Sequence, residues 1–549
     1  MPPRLRSLPP LRLPPPPAVL VLFAAGFILP GLAAHDPWKS WDALGIGVMH
    51  SMSITGELLV PRVAGLAWMH DPPLFHWFGA LLGRLLQSLV EFHAAARLVS
   101  GIFVGAAFAF IYRAGKQWTD AERAPIAGAA ALLLLLGAVG LMVHSHEALP
   151  ELGQLAAMCG ALAALAQAGT RPLAAGAALG VALGLGFLAA GWIAPLSMWL
   201  AALLTHVLHA PWRTRRGVAC LALAAVVAIA LGSAWLLPLA YTAREAFLDW
   251  WQIAAQTHTV TGRHAASLVA TAAWFAWPVW PLALWALWSQ RRQWREPRLL
   301  LPAFAAFFML AAQLRWGPAQ QENLLPALAP LALLATHGIF SLRRGASGAL
   351  DWFGVLAFAF FTGLVWLGYV AMMTGFPPRV DYNFARAAPG FAPQFSPLAF
   401  SGAVLLAGCW LYVVFLAAAS PLRSLARWAA GIVLLWGSFA LLWMPWVDHQ
   451  KSYRSVALQL RQKVPMGGGC VASRSLGLPQ AAALDYHAAI RTQPFDPLKP
   501  AACRLVLVQG SPQHELDAPA AAGLRWIKIA DVGRPGDRAE RFRLYQINR

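Results

Sequence analysis

The sequence predicts a polytopic α-helical membrane protein with about 13 transmembrane helices, juxtamembrane helices in its first outside loop and a small C-terminal α/β periplasmic domain. Three observations carry this. Of 549 residues, 59% are hydrophobic and only 12% charged, too little polar surface for a water-soluble globule. Mean hydropathy is +0.56. Uncharged runs long enough for a ~30 Å hydrocarbon layer recur along the chain and stop near residue 446.

The clearest runs are residues 18–34, 124–143, 217–241 and 354–373. Weaker stretches complete a set of spans at 18–34, 95–112, 124–143, 149–168, 172–189, 192–209, 217–240, 267–288, 299–313, 323–340, 352–373, 398–418 and 428–446. With a cytoplasmic N-terminus, the inside connections hold PWRTRRG, QRRQWREPR, LRRGA and SPLRSLAR, and with the N-terminal arm and the RAGKQWTDAER loop carry 18 Lys and Arg against 8 in the longer outside loops, the C-terminal domain excluded. This positive-inside asymmetry orients 35–94, 241–266 and 447–549 outward. The net charge of +19 therefore reflects topology and contact with membrane lipids; no nucleic-acid motif occurs. Arg4, Arg6 and Arg12 before an apolar run ending in LAA also fit a signal peptide, and residue 35 emerges outside either way.

Residues 1–446 thus form the transmembrane domain, with a first periplasmic loop at 35–94, and 447–549 the soluble one. In the latter, SYRSVALQLRQKV reads as an amphipathic helix, and CRLVLVQG and ERFRLYQI read as strands. Cys470 and Cys503 fall there, where an oxidising compartment would allow a disulfide. No phosphate loop, metal-ligand spacing or nucleophile elbow occurs in this tail, so it is expected to assist. In the first loop, LFHWFGALLGRLLQSL carries Arg84 and suits a helix lying in the interface, and 42–52 is a further surface helix. The 26 tryptophans read first as interfacial belts. Trp38, Trp41 and Trp68, in the first loop, could also contact sugar or lipid.

The order of an acidic residue after the first span, a juxtamembrane helix, GELLVPRVAGLAWMHDPPLFHWFGALLGRL and an AARL opening the next span resembles the C-type glycosyltransferases that use polyprenyl-phosphate sugars. Within these it is similar to the protein O-mannosyltransferase and aminoarabinose lipid A transferase group. QQENLLPALAPLALLA resembles a late segment of the same group. The resemblance implies transfer of a sugar from an undecaprenyl-phosphate donor to a periplasmic lipid, glycan or protein acceptor, with inversion, a carboxylate base and a divalent metal as the one cofactor to consider. Chemistry supports the residue types: a hydroxyl acceptor needs a base, and a leaving phosphate needs positive charge.

On this template the base is Asp42, with Asp36 second. The family's Asp-Glu pair falls on Trp41 and Asp42, so its first acid is missing; the plain alternative is that Asp42 caps its helix. Where the family has Glu-Lys-Pro-Pro, this chain has His70, Asp71, Pro72 and Pro73. His70 and Asp71 can bind a divalent metal, but the cation is lost at that position; a proline-fixed turn is the alternative. HSHEALPEL supplies Glu147 and Glu151 where the family has a second acid, with His144 and His146 beside them. Acids at the end of a span favour a polar cavity. Donor-phosphate contacts are expected from Arg263, His258 and Arg315, with Arg244 and His264 as substitutes; snorkelling to headgroups is the alternative. Two other function classes compete: a transporter or flippase, and a non-catalytic membrane scaffold. A transporter would show internal repeats and ionisable groups at mid-membrane, whereas here the charges collect on one side.

Overall fold

A computed structural model describes residues 14–316, 320–464, 470–496, 503–511 and 525–548. The N-terminal arginines and most of the MGGGC turn lie outside this set.

Every expected span coincides with one helix or two successive ones. From the N-terminus run α1 (Pro17–Ile28), α2 (Ser40–Thr55), the two-residue strands β1 (Arg62–Val63) and β2 (Leu66–Ala67), α3 (Leu74–Leu86) and α4 (Phe92–Gln117). Then come α5 (Ala124–Leu136), α6 (Val139–His144), α7 (Pro150–Leu165), α8 (Pro172–Ala190), α9 (Ile193–Leu208) and α10 (Arg215–Thr242). They are followed by α11 (Arg244–Ala255), α12 (Gly262–Phe275), α13 (Val279–Ser289), α14 (Pro297–Arg315), α15 (Leu328–Ile339) and α16 (Arg344–Thr374). The helical part ends with α17 (Pro378–Ala387), α18 (Pro397–Leu416), α19 (Arg423–Leu442) and α20 (Met444–Lys451).

Among the described residues, seven helices are long and apolar enough to cross a bilayer unaided: α4, α8, α10, α14, α16, α18 and α19. The chain is therefore a polytopic helical membrane protein. Two expected spans are not continuous. The 267–288 span turns by 95° between α12 and α13, where Pro278 cannot donate a backbone hydrogen bond. The 124–143 span breaks at Gly137 and Ala138, and the indole of Trp428 on α19 donates to the Gly137 carbonyl at 2.8 Å, replacing a helical donor.

The first loop departs from expectation in one respect. Residues 42–52 form the middle of α2, which is a buried helix and not a surface one: Leu44, Ile46, Val48, Met49 and Met52 are all core residues. Gly45 explains how. A Cβ there would lie 2.2 Å from the Ala148 carbonyl oxygen, so only glycine lets α2 press against the 144–149 connection. On another side Gly47 meets Ala482 of the C-terminal unit. By contrast α3 is amphipathic as read, leaving Phe78, Leu81 and Leu85 exposed and burying Phe75 and His76.

The tail is an α/β unit. Helices α21 (Arg454–Arg461) and α22 (Leu478–Ala488) pack on a five-stranded sheet of order β4-β3-β5-β7-β6, from β3 (Val471–Arg474), β4 (Thr492–Pro494), β5 (Leu505–Gly510), β6 (Arg525–Val532) and β7 (Arg541–Asn548). β3 runs parallel to β4 and β5, and β7 is antiparallel to β5 and β6. The expected helix and both expected strands are present. Cys470 and Cys503, one residue before β3 and two before β5, are disulfide-bonded with their Cα atoms 4.9 Å apart. The unit is no appendage, because Ala481 and Ala482 of α22 share a core with α2.

Candidate active site in the first loop

Two polar clusters form where the first loop meets the rest of the molecule. The first is sealed. Asp42, in the opening turn of α2, accepts from Arg97 of α4 through both oxygens, Nε to Oδ1 at 3.0 Å and Nη2 to Oδ2 at 2.9 Å. Neither side chain has any exposed surface. The Ala148 amide donates to the same Oδ1 at 2.8 Å, and Arg97 Nη1 donates to the carbonyls of Leu32 and His35. Burial works to raise the Asp42 pKa, but the Arg97 charge, together with His35 and the hydrogen bonds from Arg97 and Ala148, holds the carboxyl below its ordinary range. With three hydrogen bonds accepted and no exposed surface, Asp42 in this arrangement is closed off from an acceptor hydroxyl. What it does is pin the start of α2 to the 144–149 connection, and Ser100 Oγ reinforces this by donating to the Glu147 carbonyl at 2.7 Å.

The connection so pinned carries the acids that remain available. Glu147, 4% exposed, is paired with Lys39, the residue preceding α2, and lies 3.4 Å from Nδ1 of His144. Glu151, in the first turn of α7, has an Oε2 with no hydrogen-bond partner among the described residues. The carboxyl of Glu151 stands within electrostatic reach of Asp71, Glu322 and Glu147, in that order of strength. Asp71 keeps some accessible surface, yet its carboxyl is surrounded closely enough that desolvation pushes its pKa up to about 7, a hydrogen bond from Trp68 opposing the shift. Asp71, Glu322 and Glu147 thus all act on Glu151, and Lys39 is the cation paired with Glu147.

The other expected residues lie elsewhere. His70 stacks on Trp68 with ring centroids 4.2 Å apart, and burial lowers its pKa. Among the described residues, His70 and Asp71 belong to no group of three potential metal ligands. His258 and Arg315 are joined mainly through backbone: the His258 amide donates to the Arg315 carbonyl at 2.8 Å and Arg315 Nη1 donates to the His258 carbonyl at 2.9 Å. Arg263 is exposed near the start of α12, whose last residue, Phe275, stacks against His144. Twelve residues of helix rise, about 18 Å, separate Arg263 from Phe275.

The second cluster is open to solvent. Asp36 accepts from Arg454 Nη2 at 2.7 Å and from Ser452 Oγ at 2.6 Å, and its amide donates to Asp448 at 2.8 Å. Arg454 also pairs with Glu91. Burial works against it, but the hydrogen bond from Arg454 leads the forces that bring the Asp36 pKa down to about 2. Asp448 is pushed up to about 7, by burial first and the Asp36 charge second. Asp36 is therefore a docking residue for the C-terminal unit, and the second-choice base is used up here. Asp36, Glu91 and His93 offer the one group of three potential metal ligands among the described residues, with donor atoms within 4.8 Å of one another. The Arg454 guanidinium already supplies the positive charge those carboxylates need, so a divalent ion does not fit unless Arg454 leaves.

Two residues of this region went unselected in the sequence. Arg97 had a signal: it is a cation in the opening turns of an otherwise apolar span, which demands a buried partner. Lys39 had none beyond its closeness to Asp42.

No protein-family model matches the chain. It is 26% identical over 431 residues, 73% of this chain and 75% of the relative, to the undecaprenyl phosphate-α-4-amino-4-deoxy-L-arabinose arabinosyl transferase of Pseudomonas aeruginosa. A second transferase of that name, from Pseudomonas fluorescens, is 26% identical over 227 residues, 40% of this chain and 37% of the relative. The crystal structure of ArnT from Cupriavidus metallidurans bound to undecaprenyl phosphate superposes with a TM-score of 0.68 at 18% identity, covering 96% of this chain and 97% of that one. Its apo form superposes with a TM-score of 0.67. The extended likeness in sequence, the near-complete likeness in fold and the first-loop motif together identify this chain as a polytopic membrane protein with the fold of the C-type glycosyltransferases.

Proposed function

We propose that the chain is an inner-membrane glycosyltransferase that moves a sugar from an undecaprenyl-phosphate carrier to a periplasmic lipid, glycan or protein acceptor. In this reading residues 1–446 span the membrane thirteen times and residues 447–549 form a periplasmic domain, with the first loop at the outer boundary. One observation carries the reading: a fold shared over 96% of the chain with a transferase solved on undecaprenyl phosphate brings Asp71 and Lys39 of the first loop to Glu147 and Glu151 at the start of α7.

The reaction needs a base for the acceptor hydroxyl, and a carboxyl titrating near the working pH suits it best. Asp71, partly accessible and poised at about 7, with Glu151 beside it, fills that role better than the sealed Asp42. As the acceptor oxygen bonds to the anomeric carbon, its proton passes to the ionised carboxyl. The bond from that carbon to the phosphate oxygen breaks with its electron pair, leaving polyprenyl phosphate and inverted stereochemistry. Lys39, freed from Glu147, would supply a cation for the departing phosphate, as would Arg263, Arg315 and His258. Asp42 and Arg97 are positioning residues that set the 144–149 connection. No step is routed through a metal.

The test is transfer of labelled sugar in vesicles supplied with an undecaprenyl-phosphate sugar and a lipid acceptor. Glu151→Gln and Asp71→Asn are expected to lower transfer about 10²- to 10⁴-fold while the protein still folds. Full activity in both would overturn the base assignment, and movement of the lipid-linked sugar across the bilayer without transfer would favour a flippase.

A further inference from the structure

At the opposite end of the same helices lies a polar cavity that the proposed reaction does not use. Helix α7 runs from Glu151, in the carboxyl cluster, to Leu165, a distance of about 21 Å along its axis. There the ends of α7 and α9 and the starts of α8 and α10 surround a cavity of about 240 Å³, lined by Thr170, His206, Thr214 and Arg216 with Leu165 and Leu221 at its base.

Arg171 and Arg213 lie on the two connections that border the cavity and Arg215 and Arg216 in the first turn of α10, and no Asp or Glu occurs between Glu151 and Glu245. Among the described residues none of these four arginines is in an ion pair, and only Arg213 is engaged through its side chain, donating to the Val207 carbonyl at 2.7 Å. The backbone adds donors. Of the first four amides of α10, Gly217 is capped by Thr214 Oγ1 at 3.0 Å and Val218 bonds the Thr214 carbonyl, leaving those of Arg215 and Arg216. Gly217 makes room: a Cβ there would sit 2.4 Å from the Trp212 carbonyl oxygen and 2.8 Å from the His206 ring. Beside the mouth, Leu173, Val207 and Val218 are each more than half exposed.

From this geometry we infer a binding site for the headgroup of an anionic glycerophospholipid, its phosphate between Arg216, His206 and Thr214 and its acyl chains along Leu173, Val207 and Val218. The feature separating it from a general basic surface is the partly open cavity with hydroxyl and imidazole donors. The feature separating it from a free-phosphate site is the apolar rim.

The experiment is native mass spectrometry of the whole protein titrated with phosphatidylglycerol, with phosphatidylcholine and inorganic phosphate as parallel probes. Phosphatidylglycerol is expected to bind at defined stoichiometry and phosphatidylcholine far more weakly. Arg216→Gln, an exposed substitution, is expected to weaken phosphatidylglycerol about fivefold, and Arg292→Gln, on another basic connection, to leave it unchanged. Equal weakening in both variants would mean a diffuse basic surface and overturn the site. Displacement of the lipid by an equal concentration of inorganic phosphate would overturn the lipid assignment, and so would equal binding of phosphatidylcholine. The transfer assay is independent, so loss of either reading leaves the other standing.

Discussion

Asp42 with Arg97 and Asp36 with Arg454 are the same chemical pair in two settings, six residues apart on the first loop. The first has no exposed surface on either partner; in the second Arg454 is 40% exposed. The sealed pair joins two parts of the helical body and cannot be relieved by water. The open one joins that body to the C-terminal unit across a solvent-filled cleft, where water and salt can compensate a lost partner. Identical residues therefore serve as a permanent rivet and as an adjustable clamp, and dielectric environment makes the difference.

The comparison breaks most readily at Arg97. Arg97→Gln strands a buried carboxylate and is expected to cost about 3–5 kcal/mol, seen as collapse of folded yield in detergent. Restoring yield with Arg97→Met plus Asp42→Leu would agree with a positioning pair; restored transfer in that double variant would show further that Asp42 supplies no chemistry. If Arg97→Gln alone folds normally, the sealed-pair description fails.

A smaller effect is expected from Asp71→Asn, and its sign follows from linkage. The folded carboxyl titrates near 7 and an unfolded one near 4, so the folded state binds the extra proton between those values and wild-type stability falls as pH rises through that window. Asparagine mimics the protonated form. The variant should gain a few degrees in Tm at pH 8, clearly less at pH 5 and nothing at pH 3, and an equal gain at pH 3 would contradict the assignment.

The smallest effect belongs to the clamp. Arg454→Gln should leave the helical body folded but speed proteolysis near residues 449–453, and high salt should do the same to the wild type. Asp36 titrates low in the folded state, so its contribution is present above about pH 4 and fades as pH falls toward 2; in Arg454→Gln this acid-sensitive step should vanish. Unchanged proteolysis in that variant would mean that α2 and α22 packing alone holds the unit.

Helix positions were legible because burial in lipid demands long uncharged runs, and the α/β tail was legible from its change of period and charge. The 95° turn at Pro278 was not: an apolar stretch containing proline reads equally well as a kinked span. Among site residues, Glu147, Glu151 and Asp71 could be found from acids at the ends of spans and loops. That Asp42 and Asp36 are consumed by arginines 55 and 418 residues away could not, since local pattern holds no record of which cation folds back.

By itself, then, the sequence determined that this chain is a membrane protein, where its helices lie and which loops hold the ionisable groups, because hydropathy and charge act through local composition. Only the tertiary structure decided which carboxyl is sealed, which clamps a domain and which stays free to titrate. That choice depends on burial and on long-range partners, and a carboxyl's chemistry is set by them more than by its own identity.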